Sequence, residues 1–346
     1  MGILFEKSGL FTTVQDFGRT GYQKSGFSVS GVMDRRSFMI ANLLVDNPEN
    51  EAVIEFSMVG PTIRFTSDTI IAMTGGKFSP KLNGKPIHMY AAVYVHKGDL
   101  LEIGFAETGC WGYLAISSRL DVKNVMGSRS TNTKCSVGGF HGRKIEKNDQ
   151  IWFRAKKRYL PYFLSRHLEP DDFGKEEVDI RVVMGPQEDA FTKKGIKTFL
   201  TEEYTVTADA DRMGYRLEGP HIAHKGSADI ISDGIPFGAI QVPSHGKPII
   251  MLADRQTTGG YTKIATVIGV DIPKLVQRKP GNKIRFYPVS VKTAQELYRQ
   301  EIKEFDEMRN KIHHPCKEVL DPRLTAKRLA KLFDKEKETM EVEPWI

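Results

Sequence analysis

Between Ala52 and Ser117, and again between Asp179 and Val289, apolar and β-branched residues come in short runs, each closed by a turn former. No other feature limits the possible folds so tightly. Runs this short cannot bury a helix face, yet they suit half-buried strands. In the first stretch they are Ala52–Phe56, Thr62–Phe65, Thr69–Met73, Ala91–Val95, Leu100–Phe105 and Trp111–Ser117. Asn83-Gly84, Lys97-Gly98-Asp99 and Thr108-Gly109 supply turn signals between them. In the second stretch they are Asp179–Met184, Tyr204–Ala208, Ala239–Pro243, Ile249–Leu252, Lys263–Ile268 and Ile284–Val289. Many short strands joined by glycine turns predict a mainly β protein of the barrel or sandwich kind.

Helices are few. Asp34 is placed to N-cap a helix over about Arg35–Val45, with Phe38, Ala41, Leu44 and Val45 on one face and Asp46-Asn47-Pro48 as the stop. It is the only strong helix predicted before the C-terminal region. There, Thr293-Ala294-Gln295-Glu296 fits a capping box, and Tyr298, Ile302, Phe305, Met308 and Ile312 recur at helical spacing. A second C-terminal helix is expected from Asp321-Pro322, carrying Leu324, Leu329, Leu332 and Phe333.

A chain of 346 residues exceeds one compact core. The linker-like Leu168–Glu177 divides it into an N-terminal half over 1–165, a C-terminal half over 175–290 and a helical extension over 291–346. Asp211-Arg212-Met213-Gly214 before Gly219-Pro220 echoes Gly31-Val32-Met33-Asp34 before Gly60-Pro61, a hint that the halves are related. If so, a cleft between them is the natural ligand site. The formal charge of +7 raises the question of nucleic acid. Residues 290–346 are balanced, and the densest basic cluster, Arg154-Ala155-Lys156-Lys157-Arg158, lacks interleaved aromatics. A solvated linker or a docking patch for an acidic partner fits it better than a nucleic-acid groove. Three widely spaced cysteines, Cys110, Cys135 and Cys316, fit a reducing compartment. The longest apolar runs, such as Tyr90–Val95, fall far short of a bilayer span, and Glu6-Lys7 interrupts any signal-peptide pattern. The expectation is a cytoplasmic protein engaged with neither membrane nor nucleic acid.

Polar chemistry concentrates in Ala253–Ile268, where Asp254, Arg255, Gln256, Thr257, Thr258 and Tyr261 surround Gly259-Gly260. Two readings stand side by side: a tight hairpin corner whose polar groups satisfy the backbone, or a loop that lets a small polar ligand approach closely. Asp16 with Arg19, and Asp211 with Arg212, are either ion pairs holding turns or contributors to a shared cleft in which Arg binds a carboxylate and Asp an amide N–H. Tyr261 and Gln256 could donate to a developing oxyanion. Gln241 lies in the otherwise apolar Ala239–Pro243, satisfied by backbone or lining the cleft. His313-His314-Pro315-Cys316 has no further ligands at metal-site spacing, so no metal is expected. Phosphate-binding glycine loops, His-Glu-x-x-His and Gly-x-Ser-x-Gly are all lacking.

Several of these motifs, taken in order, resemble one family. They are Thr12–Asp16 with Gly18-Arg19, Ser30–Asp34, Gly138-Gly139 with Gly142-Arg143, Asp211–Gly214, Gly238–Pro243 and Asp254–Tyr261. The family is the biotin-dependent carboxyltransferases, also called allophanate hydrolase subunit 2, whose stand-alone bacterial members are the C component of ATP-dependent 5-oxoprolinase. The resemblance covers about residues 3–289. It implies two cyclophilin-like β-barrel halves, here with C-terminal helices added, and a hydrolase active in a complex. The implied partners are the enzyme's B component, a protein of similar cyclophilin-like fold, and its A component, a lactam-handling protein. Together the three open 5-oxo-L-proline to L-glutamate at the expense of ATP. Asp254, Arg255 and Tyr261 are the implied catalytic group. Asp16, Arg19, Arg212 and Gln241, with Gln256, Thr257, Gly259 and Gly260, would bind the small amide or lactam. The alternatives are a biotin-dependent carboxyltransferase for urea or another small amide, and a non-enzymatic antagonist of the cyclophilin-like sister protein, known in the family as a kinase inhibitor. No Ala-Met-Lys-Met biotinylation site is present, so biotin would come on another chain. Ala210 stands where the family pattern has Ser, which removes a hydroxyl from that turn.

Overall fold

The structure, a computed structural model, describes residues 1–157, 159–315 and 330. The first half pairs into two sheets. Six strands follow the order Gln150–Trp152, Gly2–Lys7, Thr62–Phe65, Leu100–Glu102, Lys81–Leu82 and Lys85–Pro86; five follow the order Phe11–Gln15, Val53–Ser57, Ala106–Ile116, Thr69–Phe78 and Ala92–Val95. Between them lies a core of Ile3, Phe5, Ile54, Phe56, Ile63, Phe65, Leu101 and Leu114. Strand periodicity then fixes what faces away. On Val53–Ser57, Ile54 and Phe56 join this core, while Val53 joins a second apolar cluster shared with the other half.

In the second half seven strands close into a barrel, in the order Glu177–Met184, Lys263–Val267, Ala239–Gln241, Ile249–Met251, Gly214–Glu218, Tyr204–Val206 and Lys283–Pro288. Closure comes from the parallel pairing of Glu177–Met184 with Lys283–Pro288. A separate two-stranded arm pairs Asp229–Gly234 with Thr258–Tyr261. The mainly β reading therefore holds, with the unbroken ladder in the second half.

Helix α1, Arg35–Leu44, starts as predicted: the Ser37 amide donates to Asp34 Oδ1 at 3.0 Å. It lies on the outer face of the five-stranded sheet. Its Phe38, Ala41 and Leu44 share one buried cluster with Trp111 and Tyr113 and with the barrel residues Val182, Ile240 and Ile250. The junction between the halves is thus an apolar core with α1 inside it.

Two helices before residue 290 correct the sequence reading: α2, Lys193–Thr201, and α3, Ile272–Val276. Nine residues, with Gly195 in the first turn, offer α2 too short an apolar period, and the Thr192 cap, which accepts from the Gly195 amide at 2.9 Å, is its clearest local signal. Helix α4, Val291–His313, begins earlier than the capping box suggested, because Ser290 Oγ accepts from the Thr293 amide at 3.0 Å and takes the cap itself. The helix expected from Asp321 lies outside the described residues.

Two glycine signals also had another meaning. Gly109 sits inside Ala106–Ile116, where the register shifts against Thr69–Phe78, so it serves a bulge and not a strand end. Gly75, at φ +99°, pairs with Gly112 across the ladder, and a Cβ there would collide with the Trp111 carbonyl. Two members of the basic cluster are ion-paired within the fold: Arg154 pairs with Glu51, and Lys157 Nζ lies 2.9 Å from Asp46 Oδ2. Among the described residues no helix is long and apolar enough to cross a membrane.

Candidate functional site

The turns that the sequence marked in the two halves meet. Gly31 takes φ +90°, and a Cβ on it would lie 2.8 Å from the Phe17 carbonyl, so only glycine lets the turns at 16–18 and 30–34 stack. Across this stack comes Arg212. Its Nε and Nη2 donate to Asp254 Oδ2 and Oδ1 at 2.8 and 3.2 Å, Nη2 also donates to the Gly31 carbonyl at 2.6 Å, and Nη1 bonds Glu55. All three charged side chains are buried. Burial alone would weaken the guanidinium's hold on its proton, but Asp254 and then Glu55 raise its pKa above the ordinary arginine value. Burial raises the Glu55 pKa, with Arg212 and the Met33 amide acting against it. This is a buried ion triad that fixes the orientation of one half on the other.

Asp16 is fully committed nearby. Its Oδ1 accepts from Ser130 Oγ, Ser128 Oγ and the Gly18 amide at 2.5, 2.6 and 2.8 Å, and its Oδ2 from the Arg129 amide at 2.6 Å. Arg19 is buried, donates through Nη2 to the Ser130 carbonyl, and leaves Nε sealed with no acceptor among the described residues. Burial lowers its pKa.

Beyond Asp254 the groups are less committed. Arg255 Nε and Nη1 donate to the Ile235 and Leu252 carbonyls at 2.8 and 3.2 Å, and its guanidinium lies 5.5 Å from the Phe237 ring centroid. The chain then rises into the arm. Thr257 is pinned by its carbonyl, which accepts from the Ile235 amide, and Gly259 packs against Gln241 and Gln256, whose Nε2 atoms would lie 2.9 and 3.3 Å from a Cβ placed there. Gln241 Nε2 is sealed and donates to nothing among the described residues. Gly260 is half-buried and Tyr261 is exposed. Gln241 faces Lys263 in the ladder. Lys263 Nζ is sealed without hydrogen-bond geometry, its charge met by Asp233 Oδ2 at 3.2 Å.

The structure therefore brings Asp16, Arg19, Arg212, Asp254 and Arg255 into one inter-half junction. Gln241, Gln256, Gly259, Gly260 and Tyr261 gather at the base and edge of the arm. Asp211 does not ion-pair with Arg212; it caps its own turn through the Met213 amide at 2.8 Å. Sequence reasoning did not select Glu55, Lys263 or Gln277. Glu55 carried the same signal as Gln241, a polar residue inside an apolar run. Gln277 carried none. Its Oε1 accepts from the Cys110 and Trp111 amides at 2.7 and 2.9 Å, and its Nε2 donates to Asp34 Oδ2 and the Trp111 carbonyl, both at 3.0 Å. Among the described residues no three His, Cys, Asp or Glu side chains are grouped to hold a metal ion.

The family model for "Carboxyltransferase domain, subdomain A and B" matches residues 25–288. The C component of 5-oxoprolinase from Haemophilus influenzae is 33% identical over 301 residues, 86% of this chain and 94% of that protein. Its namesake in Escherichia coli is 31% identical over 308 residues, 89% and 98%. The crystal structure of K. lactis urea amidolyase superposes with a TM-score of 0.82 at 29% identity, covering 89% of this chain but 20% of the larger one.

Proposed function

The chain belongs to the carboxyltransferase domain, subdomain A and B, family, and on that footing we propose that it serves as the C component of an ATP-dependent 5-oxoprolinase. One observation carries this reading. The matches to the 5-oxoprolinase C components run nearly from end to end of those proteins, whereas the chain spans about a fifth of the urea amidolyase. Those relatives are named as subunits, which supports work inside a multi-subunit enzyme complex. We infer two partners, resembling the B component with its cyclophilin-like fold and the lactam-handling A component. ATP is consumed by the complex in this reading, and no residue here is assigned to it.

The chemistry asked of such a site is attack of water on a resonance-stabilised amide carbonyl. What helps is a set of fixed N–H and O–H donors aimed at the oxygen where charge develops. Gln241 Nε2, a sealed donor with no acceptor among the described residues, has that character, with Gln256 beside it and Tyr261 at the rim of the arm. An unsatisfied buried donor costs about 1–3 kcal/mol, an expense that a bound carbonyl oxygen would remove. Arg255 supplies positive charge. Asp254, locked by Arg212, acts as a positioning residue that holds Arg255 in place, and Asp16 shapes the turns beneath it.

Lactam-dependent ATP hydrolysis by the reconstituted complex tests this. Gln241→Leu and Tyr261→Phe are each expected to lower turnover by about 100- to 1,000-fold. Turnover unchanged in both removes the arm from the mechanism. The second reading, carboxyl transfer to urea or another small amide with biotin on a separate carrier, draws on the likeness to urea amidolyase. Carboxybiotin consumption stimulated by urea, without lactam-dependent ATP hydrolysis, would establish it instead.

A further inference from the structure

Beneath the two-stranded arm the barrel wall carries two donors side by side. Gln241 and Lys263 are partners in the ladder, which sets their side chains on one face with Cβ atoms about 5 Å apart. The register slips between Ile240 and Gln241, a bulge of the kind that re-aims a side chain. Gln241 Nε2 and Lys263 Nζ are both sealed from solvent, and neither makes a hydrogen bond among the described residues. The arm forms the roof. Asp233 and Gly259 are partners in its own ladder, so they too share a face. That face looks down on the wall: a Cβ on Gly259 would lie 2.9 Å from Gln241 Nε2, and Asp233 Oδ2 reaches to 3.2 Å from Lys263 Nζ. Gly259 has no left-handed backbone angle that would demand glycine, so what it supplies is room above the amide.

Lys263 and Asp233 are an unequal pair. The lysine side chain is 3% exposed and belongs to the closed barrel; the carboxylate is 58% exposed and belongs to a ribbon of two strands, an arrangement that is marginally stable by itself. Asp233 Oδ1 is already engaged by the Gly234 amide at 2.7 Å. A buried ammonium needs charge and hydrogen-bond acceptors together, and Asp233 supplies the charge without the hydrogen-bond geometry. We propose that the arm's carboxylate stands in for a ligand's oxyanion, and that Lys263 with Gln241 forms an anion site which passes from Asp233 to the ligand when the arm lifts. The class of ligand is a small oxyanion, phosphoryl or carboxyl. An amide activated for attack carries such a group at its reacting end: a phosphoryl where ATP is the donor, a carboxyl where carboxybiotin is. That use of the site rests on the amide-handling reading above, whereas the site itself rests on Lys263, Gln241 and the arm.

The test uses the full-length chain. Dissociation constants for inorganic phosphate, by phosphorus NMR, and for labelled bicarbonate, by carbon NMR, are measured for the wild type, Asp233→Asn and Lys263→Met, with melting temperatures as the check on folding. Asp233→Asn, an exposed change that takes the carboxylate from Lys263, should bind at least one of the two anions about three- to fivefold tighter than the wild type. Lys263→Met should bind that anion at least about tenfold more weakly. Either preference supports the site, phosphate pointing to a phosphoryl group on the natural ligand and bicarbonate to a carboxyl group. Affinity unchanged or lowered in Asp233→Asn, no binding of either anion by that variant, or binding that survives Lys263→Met would overturn it. Should Lys263→Met fail to fold, the comparison of Asp233→Asn with the wild type decides alone. Failure of the 5-oxoprolinase reading looks different: the anion binds as expected, yet the reconstituted complex shows no lactam-dependent ATP hydrolysis.

Discussion

Replacing Arg212 by Met tests whether the two halves are held by a buried charge network. Met keeps much of the aliphatic volume and removes the cation that bridges Glu55 and Asp254. Four hydrogen bonds go with it: two to Asp254, one to Glu55 and one to the Gly31 carbonyl. Both carboxylates stay behind, buried. Removing one partner of such a network costs about 3–5 kcal/mol, chiefly the penalty of stranding charge. For a chain of this size that lowers the melting temperature by about 4–7 °C. The cost carries a pH signature. Burial already raises the Glu55 pKa above 4.5, and losing Arg212 raises it further. A carboxyl whose folded pKa lies above its unfolded one stabilises the fold when protonated and loses that contribution as pH rises through the folded value. The variant should therefore be weakest at pH 8 and recover towards pH 5. Urea denaturation followed by fluorescence of Trp111, which sits in the junction, measures both effects. Adding Glu55→Gln should recover about 1–2 kcal/mol, since one stranded charge is gone. A loss below about 1 kcal/mol, or one flat between pH 5 and 8, would refute the account.

Three further outcomes follow from the same geometry. Gln277→Leu strands the Cys110 and Trp111 amides and Asp34, and should cost about 2–4 kcal/mol in denaturant titration; a change under 0.5 kcal/mol, about the scale of a surface substitution, would mean that water replaces the amide. Gly31→Ala must hold φ near +90° against the Phe17 carbonyl and should cost about 2–3 kcal/mol, read as an early melting transition, whereas wild-type melting would show that the turn can move. Asp271 is buried, which favours its protonated form, but Arg181 at 2.6 and 2.9 Å and Lys274 at 3.1 Å hold its pKa below the usual 3.8. Its stabilising contribution is complete above that value and is withdrawn as pH falls below it. Asp271→Asn should thus flatten the acid limb of the stability profile, and an unchanged limb would assign acid unfolding elsewhere.

How far the sequence revealed these features depended on the range of the interactions. Helix α1 was legible because its cap, Asp34, and its apolar face lie within a dozen residues of one another. The strands were legible for the same reason, although Gly109, a turn signal by composition, proved to be a bulge that only the partner strand explains. Motif resemblance set Asp16, Arg212 and Asp254 in one site without revealing how they divide the work. Glu55 to Arg212 spans 157 positions and Gln277 to Trp111 spans 166, so no local pattern links either pair.

That division separates scaffold from candidate chemistry. Asp16, Arg212 and Asp254 have their polar groups engaged within the junction, and a satisfied network rigidifies what it holds. Arg19 Nε, Gln241 Nε2 and Arg255 Nη2 are donors without acceptors among the described residues, and all three project from segments adjoining the locked ones. A chain selected for stability alone would replace such groups, since each costs free energy in the isolated fold. A site of the kind proposed would need such donors, left unsatisfied until a ligand brings the acceptor, on a frame stiff enough to keep them aimed.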